Sequence, residues 1–372
     1  MEVSKRKFLS AGLGVGLGVG LRGSDANAQP APPAGAPAGR GGIPAGDVDV
    51  QGAGRGAWQN SGKQTSSVDL NYQPRRINKV IELWEDGQPA YFTNSGLRPG
   101  IDAYAQGKKM AGTYADLIFY GMEHAPLDFT DLANFMCGLK DGGPTRSGHI
   151  MPAVVVEVPC LGLNEQYALA NSWIINTVLD LGVMGFTIDH ARDPMAMEVY
   201  CQMAARYSFD EHPNTDRVPR QGMGLRTQEA YIAAAFWGIS VYKYLHIADV
   251  WPLNPRGEII IGCKIDDKFV DANMEKTLAT KGLAFAQWGV NTQSVLGLAS
   301  FPEDHPGGRI QRTAEETARL NAISDKVRAE CIKNRLKFVG GGNEVRNGAM
   351  LLSGSEAAAI AGRELTKRKM PV

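Results

Sequence analysis

The chain has 372 residues, with 39 lysines and arginines against 39 aspartates and glutamates and a hydrophobic fraction of 44%. That balance gives no electrostatic case for a nucleic acid or an acidic membrane as partner, and after the first 28 residues no apolar run is long enough to span a bilayer. There is room for one large domain or two modest ones, and ample material for a core.

Lys5-Arg6-Lys7 opens a leader, Phe8 to Leu21 continues it as a short apolar stretch, and Ala26-Asn27-Ala28 offers a small-residue cleavage site. Ser4-Lys-Arg-Lys-Phe-Leu9 resembles a twin-arginine export signal with Lys5 in the first arginine's place. Residues 1–28 are therefore expected to direct export to the periplasm, with no membrane attachment after removal. From Gln29 to about Gly56 the chain is mostly Pro, Ala and Gly. Such a segment buries too little apolar surface to offset the entropy of ordering, so residues 29–74 read as a linker. The folded domain, 75–372, is expected to begin near Arg75-Arg-Ile-Asn78. The five cysteines (137, 160, 201, 263, 331) are odd in number, widely spaced and without a Cys-x-x-Cys pair, which argues against a disulfide framework.

Strand-like and helix-like segments then alternate. Ala90 to Asn94 reads as a strand, and Gly100 to Met110 as a helix or loop. Ala115 to Tyr120 is a strand that stops at Gly121 and delivers Glu123-His124 to a loop, and Asp128 to Met136 has helical spacing. Pro152 to Pro159 is a buried-type strand, and Asn164 to Leu181 a helix ended by Gly182. Gly185 to His190 is a strand, and Asp193 to Tyr207 a helix opened by Asp-Pro. Ser208 to Gln228 reads as a long loop over a site. Ile259 to Ile265 resumes as a strand, followed by a helix near Val270 to Lys281, a strand at Leu283 to Trp288, a helix at Ala314 to Asn334 and a strand at Leu336 to Val339. The C-terminus is expected to add a helical extension. Repeated units of this kind indicate a parallel sheet, and eight of them close a (β/α)8 TIM barrel; an open flavodoxin-like sheet is the alternative.

In such folds ligands bind at the carboxyl ends of the strands. Three of those ends carry Glu123-His124, Glu157 and Asp266-Asp267, and a fourth is the turn Gly289-Val-Asn-Thr-Gln-Ser294. Carboxylates converging on one mouth suit a hard divalent cation, and an imidazole there can move protons near neutral pH. Each also has a structural reading: His124 as a strand cap, Glu157 as a charge paired to a lysine, Asp266-Asp267 as a helix cap. Tyr91, Phe119, Tyr120 and Trp288 are placed near the mouth, where they would suit an aromatic ring or simply belong to the core.

Taken in order, these motifs resemble the HpcH/HpaI aldolase and citrate lyase family. Gly121-Met-Glu-His124 with Asp128 is similar to its Asp-Met-Glu-His segment, Val156-Glu-Val-Pro159 to its Val-Arg-Val-Pro strand, and Leu179-Asp-Leu-Gly-Val-Met-Gly185 to its Leu-Asp-x-Gly-Ala-x-Gly signature. Gly224-Leu-Arg226, Ile265-Asp266 and Gly289-Val-Asn-Thr-Gln293 are similar to its Gly-x-Arg, Ile-Glu and Gly-Pro-x-Asp-Leu segments. The resemblance implies a (β/α)8 barrel of the phosphoenolpyruvate/pyruvate type, a homo-oligomer, and an aldolase-type carbon–carbon lyase acting on a small oxo or hydroxy acid through an enolate held on Mg2+ or Mn2+. It implies His124 as the catalytic residue, Asp266 and Glu157 as metal ligands, and Arg226, Gly289, Asn291 and Thr292 as substrate contacts. The chain departs from the pattern. Glu157 stands in place of an arginine, Asp266 of a glutamate, Thr292 of an aspartate, Val290 of a proline, and Asp189 where a proline is common. Losing a carboxylate at Thr292 and gaining one at Glu157 keeps the local charge, and would let Glu157 and Asp266 hold the metal from different sides. Two other readings compete: a metal-free barrel that binds an organic acid, and a hydrolase or isomerase on the same scaffold.

Overall fold

The computed structural model describes residues 67–208, 222–289 and 312–372. The export segment, all but the end of the linker, and Val290, Asn291 and Thr292 lie outside the described residues.

Among the described residues nine strands run in parallel: β1 (Ala90–Asn94), β2 (Leu117–Gly121), β3 (Ala153–Leu161), β4 (Gly185–Asp189), β5 (Val250–Trp251), β6 (Ile259–Ile265), β7 (Phe285–Trp288), β8 (Lys337–Gly341) and β9 (Leu351–Ser353). Eight of them close a barrel in the order β1, β2, β3, β4, β6, β7, β8, β9, with β9 returning to β1. The two-residue β5 pairs only with the start of β6. The (β/α)8 expectation holds, and the open sheet is excluded by the β4–β6 and β1–β9 pairings.

Helix starts follow the side-chain caps written into the sequence. Asp128, Asn164, Asp193 and Asp267 each accept a backbone N–H two or three residues on, opening helices Phe129–Asp141, Glu165–Asp180, Pro194–Val199 and Lys268–Leu278. Of the long loop expected from Ser208 to Gln228, residues 209–221 lie outside the described residues, and its described ends do not reach the mouth. Helix Pro194–Val199 and the π-turn Tyr200–Ala204 carry the chain away from the mouth, so Tyr207 and Arg226, joined by a bridge, lie toward the amino-terminal ends of the strands. Two short helices, Tyr231–Trp237 and Val241–Ile247, follow before β5. The C-terminal helix Glu356–Leu365 belongs to the eighth strand–helix unit, behind β9. Among the described residues no helix is long and apolar enough to cross a membrane. Four of the five thiols are buried and Cys137 is exposed.

Inside the barrel, Phe92, Phe119 and Phe285 pack edge to face. Helix Lys79–Glu85 closes the amino-terminal end from below and sets Trp84 against Phe285 and Trp251. Gly262 is required opposite Phe285, because a Cβ there would lie 2.1 Å from the ring. Tyr91 and Phe119 are thus core residues, and Tyr120 packs outward on Phe135, so these three rings do not line the mouth.

Glu258 pins that plug to the start of β6. Its carboxylate accepts the Asn78 N–H at 2.8 Å with Arg76 3.6 Å away. Burial pushes its pKa up to about 7 from an ordinary 4.5, against the opposing pull of Asn78 and Arg76. Between those two values the native state holds the proton more tightly than the unfolded chain, so this group's contribution to stability falls as pH rises through the window. Glu258→Gln is expected to flatten that part of the stability–pH curve, measured by denaturant unfolding from below pH 5 to above pH 7. An unchanged slope would mean that Glu258 titrates normally.

Candidate active site

In a strand, alternate residues share a face, so the inward set can be followed upward from the Phe layer. Phe119 is level with Val155, Gly185 and Ile260 in register. The same faces continue to Glu157 on β3, Asp189 at the end of β4, Lys264 on β6 and Asp266 just after it. All four are therefore delivered to the carboxyl-end mouth. Glu123, two residues beyond the end of β2, joins them.

The centre of this group is the ammonium of Lys264. It is in contact with Glu123, 3.1 Å from Oε1 of Glu157 and 2.9 Å from Oδ1 of Asp189. Asp189 is fully buried, with the Lys264 ammonium as its ion-pair partner. Burial, with Glu123 adding repulsion and Lys264 opposing both, pushes the Asp189 pKa up to about 8. Burial would also raise Glu123, but the Lys264 ammonium holds it below its usual range.

A second group sits beside the first. His190 follows β4 directly and adopts a left-handed backbone conformation, φ 47°, which is costly for a residue with a side chain. Its Nδ1 lies 2.6 Å from Oδ2 of Asp267 and 3.3 Å from Oδ1 of Asp266. Asp267 is itself fixed: Arg192 contacts the same Oδ2 at 2.7 Å, and Oδ1 accepts the N–H groups of Phe269 and Val270. Burial works against its ionisation, yet Arg192, His190 and the helix N–H groups keep Asp267 below the usual carboxylate range. Asp266 is only 3% exposed, and its Oδ1 lacks an aligned donor. Burial pushes its pKa up to about 6, with His190 pulling the other way.

The residues singled out from sequence fall in different places. Asp266 and Glu157 are both at the mouth, but Glu157 is turned to Lys264. Gly289 is there too, hydrogen-bonded to the Ile265 carbonyl, where a Cβ would stand 2.3 Å from that of Asp266. Only glycine leaves that approach open. His124 reaches the rim, yet its side chain is 87% exposed and its contact is Glu123 at 3.4 Å. Arg226 is not brought to the mouth. It is fully buried toward the opposite end, donating to the Ala248 carbonyl and the hydroxyls of Tyr207 and Tyr244. That bonding gives Arg226 a packing role in place of the expected substrate contact. Asn291 and Thr292 lie outside the described residues. Lys264 and His190 escaped the sequence reading as site residues. A lysine inside Ile-Ile-Ile-Gly-Cys-Lys-Ile was the signal for the first, since a charge in a fully buried strand requires a partner.

A carboxylate-rich mouth of this composition defines a (β/α)8 barrel with a site fit for a cation. The same fold is found in solved proteins of the HpcH/HpaI aldolase and citrate lyase family. One from Burkholderia cenocepacia J2315 superposes with a TM-score of 0.54 at 19% identity, over 78% of this chain and 97% of that one. A HpcH/HpaI aldolase from Desulfitobacterium hafniense DCB-2 gives 0.50 at 17% identity, over 77% and 93%. At these identities the likeness is one of fold. No family model and no curated protein matches the sequence.

Proposed function

We propose that this protein is an exported aldolase-type carbon–carbon lyase acting on a small oxo or hydroxy acid with the help of Mg2+ or Mn2+. The observation that carries the reading is the excess of acidic oxygen donors at the mouth. Among the described residues, Glu123, Glu157, Asp189, Asp266 and Asp267 face only Lys264 and Arg192 as permanent cations. The buried Oδ1 of Asp266, which lacks an aligned donor, adds to it. Hard oxygen donors in excess, partly shielded from water, fit a hard divalent cation. The order of motifs and the shared fold point to the same chemistry.

Asp266 is the residue that would hold the cation, its buried Oδ1 lacking an aligned donor beside Gly289. When bound, such a cation polarises a keto oxygen and stabilises an enolate. The chain's own part is proton transfer and positioning. With Nδ1 of His190 held against Asp267, the ring nitrogen left for a substrate is Nε2. That atom takes a proton from the substrate and returns it, while Asp267, anchored by Arg192 and the helix N-terminus, holds the ring in place. His124 is less well placed, because its side chain is exposed and, among the described residues, its contact is Glu123.

The test begins with metal content and titration of Mg2+ and Mn2+ into stripped protein, followed by a screen of oxo acids with and without aldehydes. The expected outcome is stoichiometric metal that is lost in Asp266→Ala, together with metal-dependent turnover. Absence of both binding and turnover would remove the lyase reading and leave a barrel that binds an organic acid.

A further inference from the structure

We infer that Lys264 is a built-in cation filling a metal-type position formed by Glu123, Glu157 and Asp189, so that a divalent ion is confined to the Asp266 side of the mouth. The inference builds on the reading of the mouth as a cation site and goes further, because it divides that mouth into two cation positions and assigns one to the protein itself.

The geometry is that of a coordination site. Three carboxylates arrive from three neighbouring segments, after β2, on β3 and at the end of β4, and converge on one point at which Nζ stands. Lys264 reaches that point from β6 with a side chain only 11% exposed. Ile188 on β4 pairs with Cys263 on β6, so Asp189 and Lys264 are the next residues along the same ladder. The contact is therefore set by register, not by a wandering surface chain. An ammonium is a compact point charge with three donors. Without it, three carboxylates would share one half-buried volume, an arrangement that repels itself unless a cation is supplied. Asp189 shows why a cation is needed there: it is fully buried, and Lys264 Nζ, 2.9 Å from its Oδ1, is the cation that faces it.

On this account Glu157 belongs to Lys264 and is not a ligand of the divalent ion. The Asp266 side is a second position, coupled to Lys264 and Glu123 through charge. Its neighbours are His190 at 3.3 Å and the bare backbone of Gly289, and its Oδ1 has no aligned donor.

Calorimetric titration of Mn2+ into stripped full-length protein and its variants tests this without any substrate. Lys264→Met keeps the length of the side chain and removes the charge. It is expected to bind one more Mn2+ than the parent protein, or to bind about tenfold more tightly, whereas Lys264→Arg should behave as the parent does. In protein that keeps Lys264, Glu157→Gln is expected to leave Mn2+ affinity unchanged within about twofold; this arm needs no vacated site and stands even if Lys264→Met fails to fold. A tenfold loss in Glu157→Gln would make Glu157 a metal ligand and overturn the inference, as would a folded Lys264→Met that binds like the parent or not at all. If the parent takes up no Mn2+ but Lys264→Met binds one, the inference stands and the metal-dependent lyase reading falls.

Discussion

His190→Asn is expected to lower turnover by about 10²- to 10⁴-fold, the usual contribution of a positioned acid–base group, while leaving the fold as stable as before. The choice of asparagine matters. His190 sits at φ 47°, and asparagine is among the few residues that tolerate this region well. The variant therefore keeps the backbone and removes only the imidazole, whereas alanine would combine a lost base with added strain. Asp267→Asn is the companion. Asparagine is as good a helix cap as aspartate, so the N–H groups of Phe269 and Val270 keep an acceptor and helix Lys268–Leu278 keeps its start. What changes is the charge on Nδ1 of His190 and hence which nitrogen carries the proton. A turnover loss in Asp267→Asn at unchanged thermal stability would show that the pair works as a unit. His124→Ala, acting on an exposed ring with one long contact, is expected to lose much less. Should His124→Ala be dead and His190→Asn active, proton transfer belongs to the rim histidine and the strained backbone at His190 needs another explanation.

The fold was legible where burial writes a strong pattern. Ala-Val-Val-Val-Glu-Val and Ile-Ile-Ile-Gly-Cys-Lys-Ile are strands in any parallel barrel, and side-chain caps at Asp128, Asn164 and Asp193 marked helix starts within a residue or so. Leu351–Ser353 was missed because three residues are too few to show a period. The helices from Tyr231 to Ile247 were missed because a left-handed Ala230 and Gly238 break them into pieces of seven residues, too short to show more than two turns of a face.

The site divides in the same way. Carboxylates at strand ends can be read from sequence because strand ends can. Which of them meet cannot, since that depends on register across strands distant in the chain. Lys264 touches Glu123, 141 residues away, and nothing local announces the contact. Arg226 failed for the converse reason. A Gly-Leu-Arg segment gives no hint of direction, and here the arginine follows helix Pro194–Val199 to the far end, where two tyrosine hydroxyls and a carbonyl receive it. The paired acids after β6 were given both a capping and a ligand reading, and the structure divides them. Asp267 caps the helix and orients His190, and Asp266 faces the mouth.

At the other end of the barrel, Asp116→Ala is expected to destabilise the protein by about 3–5 kcal/mol, the range found when one partner is removed from a buried ionic cluster. Asp116 is fully buried just before β2, and its carboxylate is held well below the usual range despite burial, chiefly by Arg368, then by Lys79 and Arg363. Arg368 grips both oxygens at 2.7 Å, Lys79 stands 3.1 Å from Oδ1, and Arg363 and the Tyr91 N–H reach Oδ2 at 3.3 and 3.0 Å. Removing that one anion leaves three cations facing one another in the interior. The three are not equivalent. Arg368 is bidentate and ties residues 368–371 to the barrel through the Met370 and Pro371 carbonyls, so Arg368→Ala should cost nearly as much as losing Asp116. Lys79 is different: burial pulls its pKa down to about 7, with Arg368 and Arg363 adding repulsion against the support of Asp116. Between about 7 and its ordinary 10.5 the unfolded chain binds this proton more tightly than the native state, so Lys79's contribution to stability rises with pH through that window. Lys79→Met should therefore cost little, and should remove that rise. Denaturant unfolding of the three variants at pH 7 and pH 9 checks the ranking. If Lys79→Met proved as damaging as Asp116→Ala, Lys79 would be an essential member of the cluster and not the one that the two arginines displace.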